Sequence, residues 1–270
     1  MVDPQRCMRL NERRQAEGAA ALSEEHVRRG PGVLAFSAGT PWLCKAVGLD
    51  LDAPLDDEAV REVVAYYRAR RVPPVVELSA YSAEGTFAAL ARAGFVLVET
   101  EHVLACTPHT PSVQLPPGVQ LARLDGADDE AVREHAAVVT CGFLPGGERA
   151  PEPMLAVAVR ALRQPDTIGL FARLADGTPV GASSMEIRAV DLGDGSPPVR
   201  ALALFGTTVV PEARCQGIQQ AFIAERLRLG AEAGCALALV ESKPGIPTER
   251  NAARLGFAPS YTRLVLRAPA

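Results

Sequence analysis

Two stretches of the chain match each other at a fixed spacing, and that repeat limits the possible folds more than any other feature. Residues 86–104, TFAALARAGFVLVETEHVL, align without a gap onto 248–266, TERNAARLGFAPSYTRLVL, at an offset of 162. Eight of the nineteen positions are identical, among them Thr86 with Thr248, Gly94-Phe95 with Gly256-Phe257, and Val103-Leu104 with Val265-Leu266. In each copy a helical pattern runs into a Gly, the residue best suited to the left-handed position that ends a helix, and a strand follows at once. Two unrelated helix–Gly–strand units are the alternative; the identities held in register favour one fold used twice.

The 270 residues are enough for two modest domains. A formal net charge of −4 argues against a nucleic acid or an anionic membrane as the main partner, because affinity for phosphate backbones rests on accumulated Lys and Arg. The opening residues have no apolar core of the kind a signal peptide needs, and no run is apolar for long enough to cross a bilayer. Cys7, Cys44, Cys106, Cys141, Cys215 and Cys235 are scattered, with no C-x-x-C pair and no histidine cluster beside them, so neither a metal site nor a disulfide framework is expected. These features predict a reduced, cytoplasmic protein.

Residues 107–118, TPHTPSVQLPPG, carry four prolines in twelve residues and read as a linker. The expected division is therefore 1–106, 107–118 and 119–270. In the first part the patterns predict a helix over about 5–28, strands at 33–37 and 43–49, a helix over 56–70, a strand at 75–79, a helix over 84–93 and a strand at 95–105. The second part predicts a strand at 119–124, helices over 127–141 and 152–163, strands at 168–174, 180–190 and 199–209, a helix over 217–233, a strand at 235–240, a helix over 247–255 and a strand at 257–267.

The chemistry is concentrated where the strand 201-ALALFGTTVV-210 meets the helix that starts near Gly217. The connecting loop, Pro211-Glu212-Ala213-Arg214-Cys215-Gln216-Gly217-Ile218, leads a buried strand into a helix N-terminus. Such a turn aims unpaired backbone N–H groups and the positive end of the helix dipole at one spot, and a Gly lets an anion come close to the backbone. That is a geometry for a diphosphate. At the same offset the first copy presents Asp56, Asp57 and Glu58. Acids there cap the helix and repel a diphosphate, so the first half is expected to be a degenerate copy that serves as packing support.

This strand, the Arg214–Gln219 loop and the terminal helix–Leu255-Gly256-Phe257–strand unit together resemble the GNAT superfamily of acyl-CoA-dependent N-acyltransferases. Arg214 and Gly217 fit the family's phosphate-binding pattern; Gln219 stands where that pattern has Gly or Ala. The resemblance covers 119–267 directly and the first half through the repeat. It implies an α/β fold of two tandem GNAT-like domains, each with a mixed β-sheet flanked by helices. Acetyl-CoA or another acyl-CoA would be the co-substrate, and the amine of a small molecule the acceptor. The backbones of Thr208, Val209 and Val210 would hold the pantetheine arm. Arg214, Cys215, Gln216, Gly217, Ile218, Gln219 and Gln220 would hold the diphosphate, and Asn251 would reach the arm or a water.

By the same resemblance the amine attacks the thioester directly, so a general base is needed and a nucleophilic side chain is not. Glu186 and Glu241 are the candidate bases. The Tyr that serves as general acid in the family is replaced by Ala252, which leaves Tyr261 as the nearest phenol in sequence. Cys141-Gly142-Phe143 and the loop 144–153 are expected to border the acceptor pocket. Two other readings stay open: a non-catalytic CoA-binding scaffold, and a GNAT-fold enzyme that hydrolyses or decarboxylates a CoA thioester. Two fused halves favour a monomer.

Overall fold

A computed structural model describes residues 3–144 and 147–269. The chain is mixed α/β and divides into two compact units. The first comprises Met1–Val103, Val190–Pro198 and Pro259–Ala270; the second comprises Leu104–Ala189 and Val199–Ala258. The division does not follow the chain from end to end. The C-terminal strand, placed by sequence in 119–270, is part of the first unit, and the proline-rich residues 107–118 are part of the second.

The first unit is built from α1 (Pro4–Leu22), β1 (Glu25–Arg29), β2 (Gly32–Phe36), β3 (Lys45–Val47), α2 (Asp57–Ala69), β4 (Val75–Ser79), α3 (Glu84–Arg92), β5 (Val96–Cys106) and the C-terminal strand β11 (Ala258–Arg267). Its strand order is β1-β2-β3-β4-β11-β5. Strand β11 runs antiparallel to β4, with Val265 opposite Glu77 and Arg263 opposite Ser79. Val60, Val63 and Tyr67 recur at helical spacing on α2 and pack on Val76, Leu78, Leu90 and Leu266, which burial from water stabilises. The last residues of β5 belong to the second unit, where Leu104 and Cys106 join the core.

Charge is buried in this unit as well. Arg263 is 1 % exposed. Its Nε donates to Glu12 Oε1 at 2.8 Å and its Nη2 donates to Glu77 Oε2 at 2.8 Å. Lys45 Nζ reaches both Glu77 oxygens at 3.0 Å. Tyr261 donates its hydroxyl to Glu12 Oε1 at 2.7 Å and accepts from Asn11 Nδ2 at 2.9 Å. Carboxylates out of water are costly unless each finds cations and donors, and here each does.

The second unit contains β6 (Val119–Arg123), α4 (Asp129–Cys141), α5 (Glu152–Leu162), β7 (Thr167–Leu174), β8 (Pro179–Val190), β9 (Val199–Val209), α6 (Ile218–Glu232), β10 (Leu237–Ser242) and α7 (Pro247–Arg254). The strand order is β10-β9-β8-β7-β6. Strands β6, β7 and β8 pair antiparallel, while β9 and β10 are parallel with α6 as their crossover. Met185, Leu202, Leu204, Ile223, Leu227, Ala238 and Phe257 form its main core. The 107–118 segment lies on this unit rather than spanning free: Val113 packs on that core, and the His109 ring stands against Gly256.

One predicted helix is too long. Residues 25–29 form the edge strand β1, not a continuation of α1, which ends at Leu22 with Ser23 extended. The run Glu25-His26-Val27-Arg28-Arg29 is exposed throughout, so it carries no apolar period to betray a strand, and charged side chains suit a sheet edge. Among the described residues no helix is long and apolar enough to cross a membrane, and no group of three or more His, Cys, Asp or Glu could hold a metal ion.

Candidate functional site in the second unit

Strands β9 and β10 hold together from Ala201 with Leu237 to Leu204 with Val240, and then part. The parting coincides with a break in β9. Gly206 takes φ +56°, a left-handed residue inside a strand. It acts as a bulge and shifts the side-chain alternation by one residue. Before it, Leu202 and Leu204 face the core packed by α6. After it, Thr208 turns to α4 and donates from Oγ1 to the Val139 carbonyl at 2.9 Å. Gly142 makes that approach possible, since a Cβ there would stand 2.1 Å from Thr208 Oγ1.

Past Val209 the chain makes a short 3₁₀ turn, Pro211–Ala213, and enters the loop before α6. Cys215 has φ +62° and Gly217 has φ +88°, so the loop coils in the left-handed region on both sides of Gln216. Gly217 is the N-cap of α6 and supplies no capping side chain; the first turn holds no acid. The first helical bond is Ala221 N–H to the Gly217 carbonyl, at 3.0 Å. Among the described residues the backbone N–H groups from Cys215 through Gln220 have no hydrogen-bond partner in the protein. Nothing lies within 4 Å of where a Gly217 Cβ would stand, so the space in front of these amides is open. Arg214 is exposed at the mouth, its Nε anchored on the Val209 carbonyl at 3.1 Å.

A set of converging amides with a guanidinium beside it fits a diphosphate. Two other helices that follow a loop, α2 and α4, are closed at the same place by an Asp. Asp56 caps α2 by accepting from Ala59 N–H at 2.8 Å, with Asp57 and Glu58 in the first turn. Asp128 caps α4 in the same way.

The remaining sequence candidates fall into three groups. Gln219, Gln220 and Asn251 form a bracket between α6 and α7: Asn251 Nδ2 donates to Gln219 Oε1 at 2.6 Å, and Gln220 Nε2 donates to Asn251 Oδ1 at 3.2 Å. Gln219 Nε2 also donates to Thr248 Oγ1 at 3.1 Å, which explains a Gln where small residues were expected. Thr208 and Val209 follow the bulge, but the Val210 N–H is taken by the Val180 carbonyl and the Val210 carbonyl by the Ala213 N–H, both at 3.0 Å. Of the three expected pantetheine-binding positions, Val210 has no N–H left to offer.

Glu186 is 9 % exposed on β8, with Oε1 2.9 Å from Arg188 Nε. Glu241 is half-buried on β10, in the first position beyond the last β9 pair. Tyr261 is the remaining catalytic candidate. It belongs to the first unit, where its hydroxyl is bonded to Glu12 and Asn11. Ala252 is fully buried in the core, so no phenol stands at that position of α7.

A cavity of about 650 Å³ lies along α4 and α5, lined by Glu130, Glu134, Cys141, Arg149, Glu152 and Leu155 among others. Cys141 was expected at the acceptor pocket and lines this cavity; Phe143 is 62 % exposed and does not. Of the expected loop 144–153, Pro145 and Gly146 lie outside the described residues. Sequence reasoning missed Arg226, which the structure buries beside the β9 bulge; an Arg on an amphipathic helix gives no sign of being inside.

The sequence matches no family model and no curated protein. Solved structures do match, and the fold is that of the GCN5-related N-acetyltransferases (GNAT). A GCN5-related N-acetyltransferase from Kribbella flavida superposes with a TM-score of 0.68 at 21 % identity, covering 96 % of each chain. A tandem GNAT protein from the clavulanic acid biosynthesis pathway gives 0.60 at 17 % identity, over 90 % of this chain and 82 % of that one. A third, from Sphaerobacter thermophilus, gives 0.56 at 17 % identity, over 78 % of this chain and 66 % of that one.

Proposed function

We propose that the chain is a GNAT-type N-acyltransferase that transfers an acetyl or other acyl group from acyl-CoA to the amine of a small molecule. The reading is carried by the open, uncapped run of amides from Cys215 to Gln220 at the end of a strand that has parted from its parallel neighbour. Those amides and Arg214 would hold the diphosphate. The backbone of Thr208 and Val209 would hold the pantetheine arm in the gap beside β10. One N–H of that segment would face the thioester carbonyl and stabilise the oxyanion that forms on attack, a role that needs no particular side chain.

The attacking amine must first lose a proton. Glu241 is our preferred base because it stands at the opening, one residue past the last β9–β10 pair. The α4–α5 cavity carries both signs of charge, with Glu130, Glu134 and Glu152 beside Arg133 and Arg149, and would suit a polar acceptor that bears an amine. The first unit would not bind CoA, since Asp56 closes its corresponding helix.

Ala252 and the engaged hydroxyl of Tyr261 favour a second reading, a CoA-binding protein without turnover. Calorimetry with CoA and a thiol-release assay across a wide amine panel separate the two. Micromolar binding with amine-dependent thiol release supports the transferase. Binding without release supports the scaffold, and release without amine supports thioester hydrolysis. A chain that does not bind CoA at all sinks all three.

A further inference from the structure

Arg226 sits on α6 inside the second unit at 2 % exposure. Burial lowers its pKa, since the charge has left water. Among the described residues no carboxylate lies within ion-pairing distance of it. All its partners are carbonyls. Nε donates to Phe222 one turn back at 3.1 Å, and Nη1 donates to Ser184 on β8 at 2.9 Å and to Phe205 on β9 at 3.4 Å.

A buried cation without a counter-ion is destabilising, and its helix neighbours Ile223 and Leu227 show that an apolar side chain packs well at this depth. Stability alone would therefore favour Leu or Met. What the guanidinium provides is one nitrogen, Nη1, that donates to two adjacent strands at one level. Phe205 directly precedes Gly206, the left-handed residue where β9 bends and leaves β10. A bulge disrupts the ladder locally, and donors from the helix beneath supply fixed geometry there.

Resting on the acyltransferase reading, we propose that Arg226 is a positioning residue for acyl transfer: its Nη1, shared between the Ser184 and Phe205 carbonyls, sets the bend at Gly206 and so aims the Thr208–Val209 backbone at the thioester. It would not touch the substrate. Its loss should weaken alignment in the transition state far more than it weakens binding of the cofactor, whose phosphates would sit at the other end of the segment.

The test compares wild type, Arg226→Met and Arg226→Lys by steady-state kinetics with acetyl-CoA and by amide hydrogen exchange. The expected result for Arg226→Met is a kcat at least tenfold lower, with KM for acetyl-CoA within threefold. Exchange should quicken at Gly206–Val209 while β7 and the rest of α6 keep their protection. Arg226→Lys, which keeps the charge and one donor direction, should fall between the two, and it carries the same readouts if the Met variant does not fold. Unchanged kcat, or protection lost evenly across the unit, overturns the positioning role while leaving the transferase reading intact. A wild-type chain that releases no thiol with any amine overturns the transferase reading, and the positioning role with it.

Discussion

Replacing Gly217 by Asp would copy into the second unit the acid that the first unit carries at its corresponding helix. Gly217 has φ +88°, and nothing lies within 4 Å of its missing Cβ, so a side chain meets strain but no clash. Strain in the left-handed region costs about 1–2 kcal/mol for an ordinary residue and less for Asn or Asp. Electrostatics is the larger effect. A carboxylate about 4 Å from one phosphate charge is repelled by about 4 kcal/mol at an effective dielectric of 20, and solvent at this half-exposed turn reduces that to about 2–3 kcal/mol. Affinity for CoA should therefore fall by roughly 30- to 150-fold.

Gly217→Asn is the matched control. It has the same shape and backbone preference without the charge, so the Asp–Asn difference isolates the repulsion. Calorimetry at two salt concentrations reads it, and the difference should shrink as salt rises. Equal affinity in the two variants, or a wild-type affinity in Gly217→Asp, would show that the phosphates do not sit on these amides.

Three further outcomes are expected. Glu241→Gln should lower kcat by roughly 100-fold or more with CoA affinity unchanged, and Glu186→Gln should change kcat little; the reverse pattern in a thiol-release assay would exchange their roles. Burial lowers the pKa of His135 to about 4, so the unfolded chain takes up its proton first as pH falls; stability should be full above pH 6.5 and drop by about 3 kcal/mol by pH 4, as read by urea unfolding, with that slope removed in His135→Gln. Arg263→Met would leave Glu12 buried without its guanidinium and should cost about 3–5 kcal/mol in the same assay; a loss below 1 kcal/mol would mean that the network contributes nothing net.

The repeat and the strand–loop–helix turn were legible because each rests on local chemistry. Gly94 and Gly256 end helices in both copies, and Gly217 opens α6 with φ +88°. Strand β9 was placed at its observed bounds, 199–209. What stayed hidden depends on long-range pairing. No pattern in 258–267 says that this strand will lie beside β4, because apolar alternation fixes which face is buried and not which neighbour is chosen. The surroundings of Tyr261 were hidden for the same reason: its proximity along the chain to the motif says nothing about Glu12, 249 residues away. Arg226 and the Gly206 bend were missed because one Arg among apolar residues and one Gly in a strand are each unremarkable until they meet.

Strand β11 has a consequence for how the molecule is made. A ribosome releases α1, α2 and β4 long before residues 259–267 exist, so the first unit is synthesised first and closed last. Until then β4 lacks the partner it has in the finished protein and offers free backbone groups to any passing strand. Nascent chains stalled before residue 259 should remain chaperone-bound and open to protease around 75–79, becoming resistant only when the last strand has emerged.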